Sequence, residues 1–493
     1  MHPDDLTPPS PLGAGTGAPD SEPRTPEAER YSRAGLPVDD NNARTAGPDA
    51  SSDSDPDDLD PDAVDETPVV REDVTRIQAR RAIEALRAGV PNHDAVLALG
   101  GGQPRIEARF RRLLDDAADD VAKGTQTPGL LVAGDFGTGK SHLLEALEQL
   151  ALGEQFVCSK VVVSKETPLH DPDKLYRAAI HAAVVPGKRG SALTELAFGL
   201  TFESKAYQDF VAWAHQPSSG LGSRFPASLF VFERTRDEEV RDRIISFWGG
   251  DPLDTRQLRG WLRDQGETTT YRLERIGKRD LPLQHFSFTS RLIAAAGYAG
   301  WVLLVDELEL IAQYSFKARA RAYAELARWS GRVRGQRCPG LVSLFAITQD
   351  FATLVLRQRN DLERVPGRLR ATENEADSAI ADGAEIGMRT IERDGVLLSP
   401  PNLRGLDQLR RRLQRLHGTA YDWQPPALDA GDRATSTSMR QYVRRWINEW
   451  DLLRLYPDYR PSMVVEGFDI DYAENPDLER DSGDDSPVGA EAR

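Results

Sequence analysis

The chain has 493 residues, with 62 Lys and Arg against 78 Asp and Glu, a formal net charge of −16 and two cysteines. That length is ample for two or three domains with a buried core, while two cysteines exclude a disulfide framework. Eight scattered histidines without metal-ligand spacing, and no Cys-x-x-Cys, argue against zinc, and no run of about 18 uncharged apolar residues is present to cross a membrane.

Residues 1–70 carry 17 acids against 4 bases, are rich in Pro, Ser, Asp and Gly, and show no apolar period. They are predicted to form a disordered acidic tail. From Glu466 onward there are 10 acids against 2 bases, a second such tail. The interior, residues 71–465, is therefore about +5 and rich in Arg, so a nucleic-acid partner stays open, although acidic tails also serve solubility alone. The N-terminus has acids where a secretory leader needs bases and an apolar stretch, which predicts a soluble, cytoplasmic protein.

Between the tails, Asp73–Ala88 repeats apolar residues (Val74, Ile77, Ile83, Leu86) at helical spacing and stops at Gly89-Val90-Pro91. Gln103–Val121 predicts a second amphipathic helix. The apolar run Gly129–Ala133 then empties into Gly134-Asp135-Phe136-Gly137-Thr138-Gly139-Lys140-Ser141, followed by a leucine-rich helix. Small residues there let successive backbone N–H groups point inward, and the next helix aims its positive end at the same place, so the loop suits a polyphosphate such as ATP. Lys140 would reach the outer phosphates and the Ser141 hydroxyl would hold Mg²⁺; a plain surface glycine turn is the competing reading.

Phe156–Val163 predicts a buried strand and Lys174–Val184 a helix, with mostly helical patterns across residues 166–285. Aromatics there, such as Tyr207, Phe210 and Trp213, read as core rather than as base-stacking platforms. Trp301–Val305 is a continuous apolar run ending in Asp306-Glu307, and Leu341–Ile347 is another ending in Thr348-Gln349-Asp350. In an open α/β sheet the ends of these strands meet at one site. Asp306 would hold Mg²⁺ beside Ser141, Glu307 would orient or deprotonate the attacking water, and Thr348 would contact that water or the phosphate. An exposed acidic turn and a loop-capping hydroxyl are the ordinary alternatives.

Transition-state charge also needs a cation from outside the loop. Arg440, opening a helix Arg440–Leu453 after Thr435–Ser438, is placed to serve its own subunit, and Arg364 or Arg368 a neighbour's; solvated or ion-paired surface roles compete. Lys317, Arg321 and Arg328 on one helix face, with Arg319 on another, and the cluster Arg410, Arg411, Arg412 and Arg415, would suit either DNA phosphates or a charged helix face.

The segments Gly134–Leu144, Val162–Pro168 and Val305–Glu309, set in residues 75–455, carry a resemblance to the BREX-type ATP-binding family. That family resembles AAA+ ATPases related to origin-recognition initiators, and many members are encoded in bacterial anti-phage defence clusters. The resemblance implies an α/β fold of P-loop NTPase type, AAA+-like, with a parallel sheet, a large helical insertion and a small helical lid. Residues 71–400 would form the ATPase domain, about 166–285 its insertion and 401–465 the lid. It implies ATP and Mg²⁺ as ligands, Gly134–Ser141 as the nucleotide loop, Asp306 and Glu307 as the metal and water carboxylates, and Thr348 as first sensor. Arg440 would be the second sensor, and Arg364 or Arg368 the finger. Self-association, or a partner helicase or other defence protein, is implied too. Residues after Trp446 turn acidic, so any nucleic-acid contact falls to the Arg-rich helices or to a partner. A non-hydrolysing nucleotide switch and a small-molecule kinase share the same loop and remain alternatives.

Overall fold

A computed structural model describes residues 67–333, 338–400, 403–428, 438–456, 458–460, 472 and 474–478. Most of both predicted acidic tails, and Thr435–Thr437 of the predicted cap, lie outside the described residues. The chain opens with α1 (Thr67–Ala88), α2 (His93–Leu99) and α3 (Pro104–Lys123), then β1 (Leu130–Ala133), α4 (Lys140–Gly153) and β2 (Phe156–Val162). The expected helix over Lys174–Val184 is shorter. It forms α5 (Pro172–His181), and β3 (Ala183–Val184) turns back to pair antiparallel with Cys158 and Ser159 of β2.

Six further helices follow: α6 (Ala192–Phe198), α7 (Lys205–Ala214), α8 (Arg224–Arg234), α9 (Glu238–Trp248), α10 (Thr255–Asp264) and α11 (Asp280–Ala295). The sheet resumes with β4 (Gly300–Asp306), then α12 (Phe316–Trp329) and β5 (Leu341–Ile347). After these come α13 (Asp361–Arg370), α14 (Glu375–Asp394), β6 (Val396–Leu397), α15 (Leu403–Tyr421) and α16 (Met439–Leu455).

The strands form one mixed sheet in the order β3-β2-β4-β5-β1-β6, parallel except for β3. Every residue of β1, β4 and β5 is buried, as strands covered on both faces must be, which is why they appear in the sequence as unbroken apolar runs. Side chains alternate between two apolar layers. Leu131, Leu303 and Phe345 face one with α5, α11, α12 and α14, whereas Val132, Leu304 and Leu344 face the other with α3 and α4. Tyr207 and Phe210 are buried in the first layer and Trp213 packs against it, as plain core.

The register pairs Ala133 with Ile347 and Val162 with Asp306, so the strands release their following residues at a common edge. Packing is close where α14 crosses α12: a Cβ on Gly387 would fall 1.9 Å from the Tyr323 carbonyl oxygen. A third apolar cluster joins α1 and α2 to α15 and α16 through Ile83, Leu413, Trp446 and Trp450. Within α1, Ile83 and Leu86 are buried as their spacing predicts, but Ile77 is exposed and Ala79 and Ala82 take its place inside.

Candidate functional site

A cavity of about 540 Å³ opens where the glycine loop after β1, the acidic end of β4, the Gly100–Pro104 connection and the helices α15 and α16 converge. The loop turns twice through left-handed backbone, at Gly137 (φ 75°) and Gly139 (φ 104°), conformations glycine adopts without steric cost. No side chain caps the α4 N-terminus, so its first backbone N–H groups are left to an outside acceptor. Lys140, the first residue of α4, is buried; its Nζ donates to the Gly134 carbonyl at 3.0 Å and lies 3.8 Å from Glu309 Oε1.

Opposite the loop, Asp306 is buried at the end of β4 and accepts a hydrogen bond from the Glu307 N–H at 2.9 Å. Glu307 sits in the left-handed region (φ 55°), a strained backbone for a side chain of its size and a common companion of functional sites. Burial first, and the Asp306 charge second, push its carboxyl above the ordinary range, with Lys140 and Arg440 opposing. Glu309 completes the group: burial raises it to about 7 against the pull of Lys140, and its Oε2 is buried without a hydrogen-bond partner. Three crowded carboxylates beside one lysine form a site where added positive charge would be favourable.

The helical roof touches the loop directly. Ser438 caps α16 in a reciprocal box with Gln441, which sets the helix start so that the Arg440 N–H donates to the Gly137 carbonyl at 2.9 Å. The Arg440 guanidinium lies over the Phe136 ring, 5.0 Å from its centroid. The loop Gly134–Ser141, Asp306, Glu307 and Arg440 thus share one neighbourhood, with Phe136–Ser141, both acids and Arg440 lining the cavity itself.

Thr348 and Arg368 are not among the lining residues. Thr348 is buried and its hydroxyl pairs with that of Tyr472 at 2.7 Å. Arg368 stacks over the Phe316 ring, 4.3 Å from its centroid, and the Arg364 Nη1 donates to the Arg359 carbonyl at 3.4 Å. Part of each basic cluster is engaged within the chain. Arg319 is buried on Asp361 at 2.7 Å, Arg328 pairs with Glu325, Arg410 and Arg411 share Asp407, and Arg412 donates to the Leu99 carbonyl and lines the cavity.

Sequence patterns alone did not mark Glu309, His142 or the Gly100–Gly102 turn. His142 Nε2 meets the Gly100 carbonyl at 2.7 Å, and burial pushes its imidazole below the usual range. The three consecutive glycines before Pro104 were the available signal for this wall, since backbone that must approach a ligand closely tends to shed its side chains.

A family model described as BREX system ATP-binding protein BrxC/D matches residues 74–200 and 250–467. The chain belongs to that family. The BrxC/D match spans the glycine loop, the acidic end of β4 and both roof helices, and it skips residues 201–249, which contain α7, α8 and α9. None of those three helices contributes a cavity residue. No curated protein and no solved structure matches the chain. Among the described residues, no helix is long and apolar enough to cross a membrane.

Proposed function

We propose that the chain is a P-loop, AAA+-like ATPase that binds ATP with Mg²⁺ in this cavity and hydrolyses it to drive or switch a BREX defence complex. The observation that carries the reading is convergence: an uncapped helix start, a buried lysine, an acidic pair from β4 and an arginine from α16 surround one cavity. The family description, ATP-binding protein of BREX systems, supports the same ligand.

The residues suit a magnesium ion. Among the described residues no group of three or more His, Cys, Asp or Glu side chains is arranged to hold a metal. Magnesium nevertheless takes only one or two protein oxygens when phosphates and water complete its shell. Ser141 and Asp306 would supply them, and the bound ion would offset charge on the outer phosphates. Lys140 and the N–H groups at the start of α4 hold those phosphates. Glu307 takes a proton from the attacking water as its oxygen bonds to the γ-phosphorus and the bond to the ADP oxygen breaks. A carboxylate raised by burial is a better base than one in water. Arg440 stabilises the charge that develops, Thr348 reads the terminal phosphate, and Arg368 is offered to a neighbouring copy. Self-association, or a partner helicase or other defence protein, would carry the motion onward, with DNA contact through that partner or the Arg-rich faces.

The test is ATP turnover by purified protein beside Glu307→Gln. Loss of a general base predicts a fall of on the order of 10² to 10⁴ in kcat with ATP uptake retained. Equal rates would remove Glu307 from the chemistry. One observation favours a second reading, a nucleotide switch without turnover: the Thr348 hydroxyl is engaged by Tyr472 instead of facing the cavity.

A further inference from the structure

Beyond α16 the chain returns to the sheet. Tyr472 and Leu478 pack against the main apolar layer, and the Asn475 N–H donates to the Gln313 carbonyl at 2.8 Å. The Tyr472 ring meets Phe351 edge-on at 6.2 Å, and its hydroxyl lies 2.7 Å from both Thr348 Oγ1 and Asp350 Oδ1. Glu474 bridges two arginines, Arg359 at 2.6 Å and the buried Arg319 at 3.2 Å, and Arg359 also donates to the Tyr472 carbonyl.

Counting protons fixes the direction of these bonds. A tyrosine hydroxyl has one proton to give, and a carboxylate oxygen only accepts. The Tyr472 proton therefore goes to Asp350, and Thr348 must spend its own single proton on the Tyr472 oxygen. Burial above all, with the Asp350 and Glu309 carboxylates nearby, holds the phenol above its ordinary range against the Thr348 hydrogen bond, so it stays protonated. The Gly134 N–H donates to the Ile347 carbonyl at 3.1 Å, so Thr348, the next residue, leaves β5 beside the start of the glycine loop. Phosphate oxygens also only accept. While Tyr472 is docked, Thr348 has no proton left for a phosphate.

The attachment is short. It rests on the hydroxyl cluster, on hydrogen bonds to the Gln313 and Tyr472 carbonyls, on the partly buried Tyr472 and Leu478 side chains, and on Glu474, half exposed between the part-buried Arg359 and the buried Arg319. We propose that the segment carrying Tyr472 and Glu474 is an autoinhibitory strap: docked, it withholds the Thr348 hydroxyl from the terminal phosphate of a nucleoside triphosphate, and its release switches turnover on. This rests on the cavity being an ATP site. Because Thr348 serves either the strap or the phosphate, the two compete, and a bound triphosphate loosens the strap by the same factor that the strap weakens phosphate contact.

Tyr472→Phe in the full chain keeps the ring against Phe351 and deletes only the hydroxyl. It is expected to raise kcat roughly 2- to 10-fold, the size of one net hydrogen bond, with the KM for ATP changed less than kcat. Glu474→Gln should act in the same direction and speed amide exchange at Asn475, which a merely structural role would not couple to turnover. Adding Thr348→Ala should erase the gain. With ATP uptake intact, an unchanged or lowered kcat in Tyr472→Phe, or a gain that survives Thr348→Ala, overturns the strap alone, whereas no turnover by any variant overturns the strap and the hydrolysis together. Failure of every variant to take up labelled ATP overturns the strap and the ATP reading together.

Discussion

The two halves of the cavity wall are built by different physics. The floor, where β1, β4 and β5 end, stands on strands buried on both faces and helices packed to contact, so the loop and the acidic pair are held by apolar volume. The roof, α1 with α15 and α16, has its own apolar cluster but is tied down by polar groups. His417 Nε2 meets Asp451 Oδ1 at 3.1 Å, Arg87 donates to the other Asp451 oxygen at 2.6 Å, and Trp423 donates to His417 Nδ1 at 2.9 Å. Arg440 joins roof to floor through its backbone hydrogen bond to Gly137 and its guanidinium over the Phe136 ring. A rigid floor under a roof held by separable polar contacts suits a site that must close on a ligand and reopen.

The largest expected effect breaks the floor. Alanine for glycine inside a helix ordinarily stabilises by up to about 1 kcal/mol. Gly387→Ala in α14 should instead destabilise by about 1 to 3 kcal/mol, because the new Cβ would meet the Tyr323 carbonyl at 1.9 Å and force α12 and α14 apart. Chemical denaturation measures it, and a neutral or stabilising result would show that the two helices give way freely.

Also in the apolar layer, His285 is buried with Nε2 on the Phe247 carbonyl at 2.8 Å, and burial depresses its imidazole from 6.5 to about 4. The unfolded chain then binds more protons than the folded one between those values. Stability is full above pH 6.5 and is lost as pH falls toward 4. The loss attributable to this group is at most about 3 kcal/mol. Relative to His285→Gln, wild-type denaturation should show that extra slope, and identical slopes would contradict a neutral buried imidazole.

Much of this floor was legible in the chain. Continuous apolar runs that end in a glycine loop, an acidic pair and a threonine are what a doubly covered parallel sheet demands, and β5 falls on the predicted Leu341–Ile347. The shortest elements were less so. With seven residues, α2 is shorter than two helical turns, too brief for a period to show, and β3 and β6 have two residues each, their pairing decided by neighbours. Arg412 reads like its basic neighbours until the fold brings the Leu99 carbonyl to it, and Tyr472 lies in an acidic stretch whose return to Thr348 is a tertiary event. Glu309 stood in plain view beside Asp306-Glu307, but one carboxylate among three cannot be told apart before burial selects it.

Smaller effects sharpen the roof. Asp451→Asn removes the charge that Arg87 and His417 share and should cost about 1 to 2 kcal/mol in the α1, α15 and α16 cluster. Amide exchange should rise there and stay unchanged in β4 and β5; a uniform rise would mean that roof and floor unfold as one unit. Smallest in stability, Arg440→Ala should cost about 1 kcal/mol, the worth of a partly buried stacked guanidinium, since its backbone bond to Gly137 survives. ATP affinity should nonetheless fall, and an unaffected affinity would place Arg440 outside the site.

Uptake of labelled ATP in the presence of Mg²⁺, by the wild-type chain beside Lys140→Ala, tests the central claim most directly. Saturable uptake by the wild type, weakened on the order of 10- to 100-fold when the lysine is removed, is the result expected of a charge-assisted phosphate contact. Uptake that is absent, or indifferent to Lys140, would contradict the assignment of this cavity to ATP.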